Sequence, residues 1–370
     1  MARQFGVSLR KVQYWRARAA DQRLDGVDFS DHPPGRAANR TPEQIEDLIL
    51  ELRQHLKQDS DLGEHGAAAL RRALEEQALP CHPSVRTIGR ILERRGALDG
   101  RRRRRFPPPP AGWYLPTVAA GQAELDSFDL IEDLRIEHGP RLDVLTGISL
   151  RGALAQAWPV PAQATAQWVM DQLLEHWHSL GLPAYAQFDN DTRFQGAHQY
   201  RDVISRVMRL CLSLGITPVF VPPRESAFQA SIEAFNGRWQ RCVWTRFHHD
   251  SLAALIHRSA LYIAAHRLRH APRIDAAPSR PPIPTNWQLD LHAVPAGHVI
   301  YLRRTTELGH VSLLGQSFAI DPSQQNRLVR CEVDLQRHCI RCFALHRRHP
   351  TDQPLLAEIP HRLLQRKRFQ

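Results

Sequence analysis

The strongest constraint on the fold is the pattern between residues 124 and 239, where short apolar runs come first and then alternate with helical segments. Three runs in succession predict strands, and each of the two later strands follows a predicted helix. The predicted strands are 124–129, 142–149, 153–160, 184–188 and 217–221, and the predicted helices are 162–180, 198–214 and one from Ala230 onward. This order is typical of a mixed sheet with helices on its faces. We therefore predict a central α/β domain over residues 119–280.

The first residues are typical of the second half of a helix-turn-helix, so we predict a partial unit over 1–23. Gly6 allows the turn because glycine tolerates positive φ. Leu9, Val12 and Trp15 recur every three residues and predict the inward face of a helix. An ordinary amphipathic surface helix is the alternative interpretation. The opposite face carries the residues predicted to meet the major groove of DNA, which are Arg10, Lys11, Gln13 and Tyr14.

A second helical unit is predicted over residues 41–100, after a linker rich in Asp, Pro, Gly and Arg. The segment Thr41-Pro42-Glu43 begins its first helix with an N-cap, a proline in the first turn and an acid near the positive end of the helix dipole. Two further helices, at 67–76 and 85–95, complete a helix-turn-helix or winged-helix-like unit. The outward residues of its last helix that we expect to contact phosphates or bases are Arg86, Arg90 and Arg94.

Runs of arginine and proline mark the clearest domain boundary, and we predict a linker over residues 101–118. The proline run makes a stiff, extended spacer. The arginine run cannot pack in a core, so we expect it to follow DNA phosphates, with a merely solvated linker as the alternative. It consists of Arg101, Arg102, Arg103, Arg104 and Arg105. The formal net charge of +11, which comes mostly from arginine, also favours a polyanionic partner.

Beyond a second proline-rich break the pattern changes to short strands separated by turns. The predicted strands are 298–304, 310–314, 317–320, 328–335 and 339–345. Five short strands at this spacing predict a small all-β barrel over 290–346, followed by a basic tail over 347–370.

The six cysteines are few for 370 residues and lie mostly in apolar runs, which indicates a reducing compartment. Cys339 and Cys342, with Cys331, could suggest zinc, but a difference of three within a strand points two side chains to opposite faces. No apolar run reaches the roughly 20 residues that span a bilayer, and no signal-peptide core begins the chain. We therefore expect a soluble, cytoplasmic, nucleoid-associated protein with no membrane partner.

Three segments carry acids that could meet at one site. Asp126 lies in the strand of ELDSFDL, Asp189 ends the buried strand of AQFDNDTRFQG, and Glu233 lies on the helix of PPRESAFQASIEAFNGRWQ. An acid at the end of a buried strand is costly unless it is paired or bound to a cation. Hard oxygen ligands in a partly open site suit Mg²⁺ or Mn²⁺.

In their order and surroundings these segments resemble the integrase core of bacterial insertion-sequence transposases, in the retroviral-integrase superfamily with its RNase H-like fold. The two helical units before the core and the stretch YIAAHRLRHAPRIDAAPSRPPIP after it are similar to the same group. Taken with the predictions above, the fold class is a multidomain chain with N-terminal all-α helix-turn-helix units, a central α/β RNase H-like core with a mixed sheet, and a small C-terminal all-β barrel, of which the resemblance implies the RNase H-like core. The resemblance also implies that Asp126, Asp189 and Glu233 form the catalytic triad and bind two Mg²⁺ or Mn²⁺ ions.

The family pattern does not decide which residue is the first acid of the triad. The sequence also departs from this pattern at several positions. Asp129 is the alternative first acid, because in a regular strand only one of two residues three apart can face the site. Asp191 stands where the family usually has glycine, Arg193 where it usually has an acid, and Ser149 where Asp is common. The distance along the chain from the second acid to the third is also longer than usual.

The function implied by the resemblance is metal-dependent DNA end cleavage and strand transfer during transposition. Its expected partners are element ends, target DNA and further copies of the chain. Arg238 and Arg241, on the helix of Glu233, are expected to contact DNA phosphates. One rival is an inactive, transposase-derived regulator that only binds DNA, and another is a nuclease that hydrolyses without joining.

Overall fold

The structure is a computed structural model that describes residues 6–18, 41–77, 79, 82–98, 111–137, 139–161, 163–197 and 200–363. The described residues up to 58 and those of 65–98 form one compact unit, and residues 59–64 with 111–363 form a second. The predicted contacts of Arg101 to Arg105, the proline run after them and the end of the basic tail lie outside the described residues.

Helix α1, Leu9–Arg18, follows Gly6, whose φ of 60° makes the predicted turn. The predicted inward face of this helix is wrong for two of its members. Leu9 is 66% exposed and Trp15 is 42% exposed, so neither is buried in a core. Threefold spacing shows that one face is apolar, but it does not show what covers that face.

The remaining helices in the described residues of the smaller unit are α2, Glu43–Asp59; α3, Ala67–Glu75; and α4, Val85–Arg94. Ser84 caps α4, because its side chain accepts a hydrogen bond of 3.2 Å from the backbone N–H of Thr87. The helices enclose a small core of fully buried aliphatic side chains: Ile49, Leu70, Leu74, Ile88, Ile91 and Leu92. The helical unit predicted for this region is therefore present, with boundaries within one or two residues of the predicted ones.

The described part of the larger unit is built on one mixed sheet. Its strands are β1, Leu125–Arg135; β2, Arg141–Ser149; β3, Ala155–Pro161; β4, Tyr185–Phe188; β5, Thr217–Phe220; β6, His298–Arg304; β9, Leu328–Asp334; β10, Cys339–Ala344; and β11, Leu355–Pro360. Their order in the sheet is β11-β10-β9-β6-β5-β4-β1-β2-β3. Strands β1, β4, β5 and β6 are parallel to one another, and β2 runs antiparallel to β1. The mixed sheet predicted for the core is confirmed.

Helices cover both faces of this sheet. The helical segments are α5, Pro116–Ala119; α6, Ala166–Leu180; α7, Thr192–Gln195; α8, Arg206–Ser213; α9, Ala230–Trp239; α10, Leu252–Arg269; and α11, Ala271–Asp275. Phe128 of β1 packs in the cluster that contains Trp177 of α6, whereas Ile131 packs in the cluster that contains Phe235 of α9. Side chains of β1 that are three residues apart therefore face different helical layers. None of the described helices is long and apolar enough to cross a membrane.

The predicted C-terminal barrel is wrong. Its strands β6, β9 and β10 extend the core sheet, because Val219 and Phe220 of β5 pair in parallel with Ile300 and Tyr301 of β6. Strands β7, His310–Leu313, and β8, Gln316–Ala319, pair with each other in a separate two-stranded sheet. Strand β11 lies where the sequence predicted a basic tail. The edge of β5 is completed by β6, so the C-terminal strands belong to the same sheet as the acids.

Candidate active site

Asp126 lies in the middle of the sheet with both carboxylate oxygens engaged. Arg280 donates from Nη1 to Oδ1 at 2.8 Å and from Nη2 to Oδ2 at 2.6 Å, and Trp177 Nε1 donates to Oδ2 at 3.2 Å. The carboxylate is only 1% exposed. Burial by itself would raise the pKa of Asp126, but the charge and hydrogen bonds of Arg280, together with the neighbouring His176, outweigh it and hold the pKa well below its ordinary value. This carboxylate is used in a buried ion pair.

Asp129 occupies the opposite face of β1, beside the second acid. The parallel register pairs Asp126 with Ala186 and Ser127 with Gln187, so its continuation by two residues brings Asp129 level with Asp189. The rings of Phe128 and Phe188 agree with this continuation, since they stack with centroids 5.7 Å apart. The expectation that Asp126 accompanies Asp189 is therefore corrected: Asp129 does.

The electrostatics of Asp129 identify its neighbours. Burial raises its pKa, the charge of Asp189 raises it further, and the charge of Glu233 adds to both, so that the pKa reaches about 7. Burial likewise raises the pKa of Asp189, which lies directly after β4. Asp129, Asp189 and Glu233 thus come from a strand, a strand end and helix α9, and the latter two repel Asp129.

Asn236 holds the carboxylate of Asp129 in one orientation. Its Nδ2 donates to Asp129 Oδ2 at 2.7 Å, and the backbone N–H of Leu130 donates to Oδ1 at 2.9 Å. Thr146 Oγ1 donates to Asn236 Oδ1 at 2.7 Å, which fixes the amide with its NH₂ group toward the acid. Sequence reasoning missed this role, although Asn236 lies three residues after Glu233 and therefore shares its helix face.

Two departures from the family pattern compensate each other beside Asp189. Asp191 donates its backbone N–H to Asp189 Oδ1 at 3.0 Å and caps α7. Arg193 pairs with the Asp191 carboxylate at 2.7 Å and with Glu132 at 2.6 Å. The extra acid at Asp191 is therefore neutralised by the arginine that replaces the usual acid.

The carboxylates of Asp129, Asp189 and Glu233 have the chemistry of ligands for a divalent cation. Carboxylate oxygens are the hard ligands that Mg²⁺ and Mn²⁺ prefer, and a cation would relieve the repulsion that raises the pKa of Asp129. In the part of the chain that the structure describes, no three His, Cys, Asp or Glu side chains are already grouped as a metal cluster. Glu233 is exposed on α9, so it is the ligand that has to approach the two aspartates.

Magnesium should stabilise the protein in a pH-dependent way. The folded-state pKa of Asp129 is about 7, above the ordinary 3.8, so folding takes up a proton in this window and stability from Asp129 falls as pH rises through it. Above the window Mg²⁺ can bind the charged carboxylates and recover that stability. We expect saturating Mg²⁺ to raise the melting temperature by about 5 °C near pH 8 and by little near pH 5. Thermal unfolding of wild type and Asp129→Asn checks this, because equal Mg²⁺ shifts in both proteins would contradict it.

The described residues that were predicted to bind DNA fall into three groups. Arg86 and Arg90 of α4 are exposed, and so are Arg238 and Arg241 after Glu233. Arg94 pairs instead with the buried carboxylate of Glu46, so its charge is used inside the unit. The remaining side chains, on α1, are exposed, and these are Arg10, Lys11, Gln13 and Tyr14.

Comparison with known proteins gives one domain match and two weak structural likenesses. A family profile described as a homeodomain-like domain matches residues 11–92, across both predicted helix-turn-helix units. Curated proteins give no match. The catalytic core domain of BIV integrase is 18% identical, with a TM-score of 0.30, over 38% of this chain and 81% of that one. A simian T-cell lymphotropic virus intasome, solved with PP2A regulatory subunit B56 gamma, is 16% identical, with a TM-score of 0.35, over 81% of this chain and 94% of that one.

Identities this low do not carry function from one protein to another, so function has to be inferred from the site residues. The N-terminal region is similar to homeodomain-like domains over residues 11–92, and the likeness of the chain to the two solved structures is weak.

Proposed function

We propose that this protein is a DNA transposase of the integrase type, which cleaves DNA ends and joins them to target DNA with Asp129, Asp189 and Glu233. Asp129 replaces Asp126 as the first acid. The observation that carries the proposal is geometric: the strand register brings Asp129 level with Asp189, and Asn236, on the helix of Glu233, donates a hydrogen bond to Asp129. The order of these acids along the chain, Asp-Asp-Glu, is that of the resembled family.

The site would hold two Mg²⁺ or Mn²⁺ ions through the carboxylates of the three acids. When bound, such ions lower the pKa of an attacking water or 3′ hydroxyl and stabilise the leaving oxygen. The protein itself has little covalent chemistry to perform in phosphoryl transfer, and its contribution is positioning and charge.

The residues around the acids supply that positioning. Asn236 and the backbone of Leu130 each donate to one oxygen of Asp129, so the carboxylate cannot rotate freely. The backbone N–H of Asp191 fixes Asp189 in the same way. Two preoriented aspartates and one exposed glutamate leave an open side for a phosphodiester.

DNA binding is proposed to involve surfaces on both units. Arg86 and Arg90, with the polar face of α1, suit the helix-turn-helix role, and Arg238 and Arg241 suit phosphate contacts near the acids. The arginine run at 101–105 would add non-specific phosphate binding. Element ends and target DNA are the proposed substrates, with several copies of the chain assembled on them.

The test uses the full-length protein, linear DNA carrying the sequences that flank its own gene, and a supercoiled target plasmid. We expect Mg²⁺- or Mn²⁺-dependent nicking at the element ends and joined products in the plasmid. Cleavage without joining would favour the nuclease rival. Tight DNA binding by folded protein, with neither cleavage nor joining, would favour the regulator and overturn the enzymatic proposal.

A further inference from the structure

A pocket of about 530 Å³ opens on the larger unit, outside the three acids. It will be called the aromatic pocket, because Trp113 and Phe228 line it, with ring centroids 5.5 Å apart. The polar side chains that line it include Arg304, Arg327 and Arg347. Aromatic rings beside several arginines are the combination by which proteins hold an unstacked base and its phosphates.

The aromatic pocket lies on the same face of the sheet as Asp129. Leu125 and Leu302 share a buried cluster with Trp113 and Phe228. Asp129 is four residues after Leu125 on β1, and Arg304 is two residues after Leu302 on β6. Because side chains alternate along a strand, both belong to the face of that cluster.

The aromatic pocket also lies at the same edge of the sheet. Arg304 ends β6, as Asp189 follows the end of β4, and these strands run parallel. Strands β1 and β6 are three positions apart in the sheet, which is about 14 Å at the usual strand spacing. A short stretch of one DNA strand can therefore reach from the acids to the aromatic pocket.

Gln187 connects the aromatic pocket to the strands of the acids. Its Nε2 donates to the backbone carbonyl of Phe228 at 3.1 Å and to Ser127 Oγ at 3.2 Å, and its Oε1 accepts from the hydroxyl of Tyr114. Ser127 is two residues before Asp129. A base held against Phe228 would thus be placed relative to the acids by buried hydrogen bonds.

The charge of the aromatic pocket is positive. Among the described residues that line it, the acid is Glu225, which pairs with Arg304 at 2.7 Å. Arg327 and Arg347 are exposed, so their guanidinium groups can meet phosphate oxygens without breaking that pair.

We propose that the aromatic pocket binds an unstacked nucleotide of the DNA strand that is cleaved or joined at the acids. The base contacts the parts of Phe228 and Trp113 that line the pocket, since each of these side chains is 8% exposed, and its phosphates meet Arg327 and Arg347. The proposal rests on the proposed function, since it names the form of DNA that the same site takes: a duplex end with an unpaired nucleotide.

The experiment measures binding by the full-length protein in Ca²⁺, without cleavage. The probes are a blunt duplex and the same duplex with a short 3′ overhang carrying 2-aminopurine. We expect wild type to bind the overhang roughly tenfold more tightly than the blunt end, with a change in 2-aminopurine fluorescence. Phe228→Leu and Arg327→Gln should each remove most of this preference, while Arg348→Gln, an exposed arginine outside the lining, should keep it.

Two results would overturn the inference: no overhang preference in wild type, or an unchanged preference in both pocket variants. Arg327→Gln keeps the test decisive if Phe228→Leu is unfolded. Cleavage and joining in Mg²⁺ are measured on the same preparations. If the wild-type protein cleaves and joins DNA but shows no overhang preference, only the inference about the aromatic pocket is contradicted. If it shows the overhang preference but neither cleaves nor joins DNA, only the proposed function is contradicted.

Discussion

Asp129→Asn is expected to lower the rates of DNA cleavage and joining by roughly a thousandfold or more, while folding and duplex binding are retained. The substitution keeps the size of the side chain but removes an anionic metal ligand. It also removes the repulsion with Asp189 and Glu233, so the folded protein should be no less stable. Cleavage and joining assays with gel-shift binding on the same DNA check the result.

Asp189→Asn and Glu233→Gln should show the same loss as Asp129→Asn. Asp133→Asn is the matched control, because Asp133 is an exposed acid of the same strand at a φ of 59°, which asparagine also adopts. A control variant with wild-type rates attributes the loss to the site. Wild-type cleavage and joining by Asp129→Asn would show that it is no metal ligand.

The two acids of β1 show how far the sequence determines the site. Side chains three residues apart in a strand point to opposite faces of the sheet, so only one of Asp126 and Asp129 can be the first acid of the site. Choosing between them requires knowing what covers each face. Trp177 and Arg280 lie far along the chain from β1, and their contact with Asp126 arises only when α6 and the segment after α11 have packed.

The C-terminal strands show a similar limit. The sequence predicted a strand at 298–304, and β6 has those bounds, because local apolar runs determine where strands form. Their pairing is not local. Short strands with turns between them suit both a closed barrel and an extension of an open sheet. In this fold β6 pairs with the edge of β5 that would otherwise have no partner strand, so the C-terminal strands extend the sheet.

Asp126→Asn is expected to give the reverse of the Asp129→Asn result: a loss of stability of about 3 kcal/mol with near wild-type activity per folded molecule. The carboxylate of Asp126 is the anionic partner of Arg280, whose side chain is only 12% exposed. Removing that partner leaves a desolvated guanidinium with a neutral amide. The activity that remains at temperatures below the melting point reports on Asp129, which the substitution does not touch.

The pH dependence of the wild-type protein follows from the same pair. The pKa of Asp126 is lower in the folded state than its ordinary 3.8, so the stability that the pair contributes is present above about pH 4. It is lost as the pH falls from there toward the lower folded-state pKa. The Asp126→Asn variant lacks this contribution and should lose less stability than wild type over the same acid range.

A double-mutant cycle separates the ion pair from a general disturbance of the core. Arg280→Met removes the buried charge while retaining a long apolar side chain, and it should destabilise the protein because the buried Asp126 carboxylate then keeps only the Trp177 and His176 side chains as partners. Combining it with Asp126→Asn removes both charges, so the double variant should be more stable than the sum of the two single losses predicts. Urea unfolding of the four proteins measures the coupling. Strictly additive losses would contradict a coupling between Asp126 and Arg280. An Asp126→Asn protein that is stable yet inactive would return Asp126 to consideration as the first acid of the site.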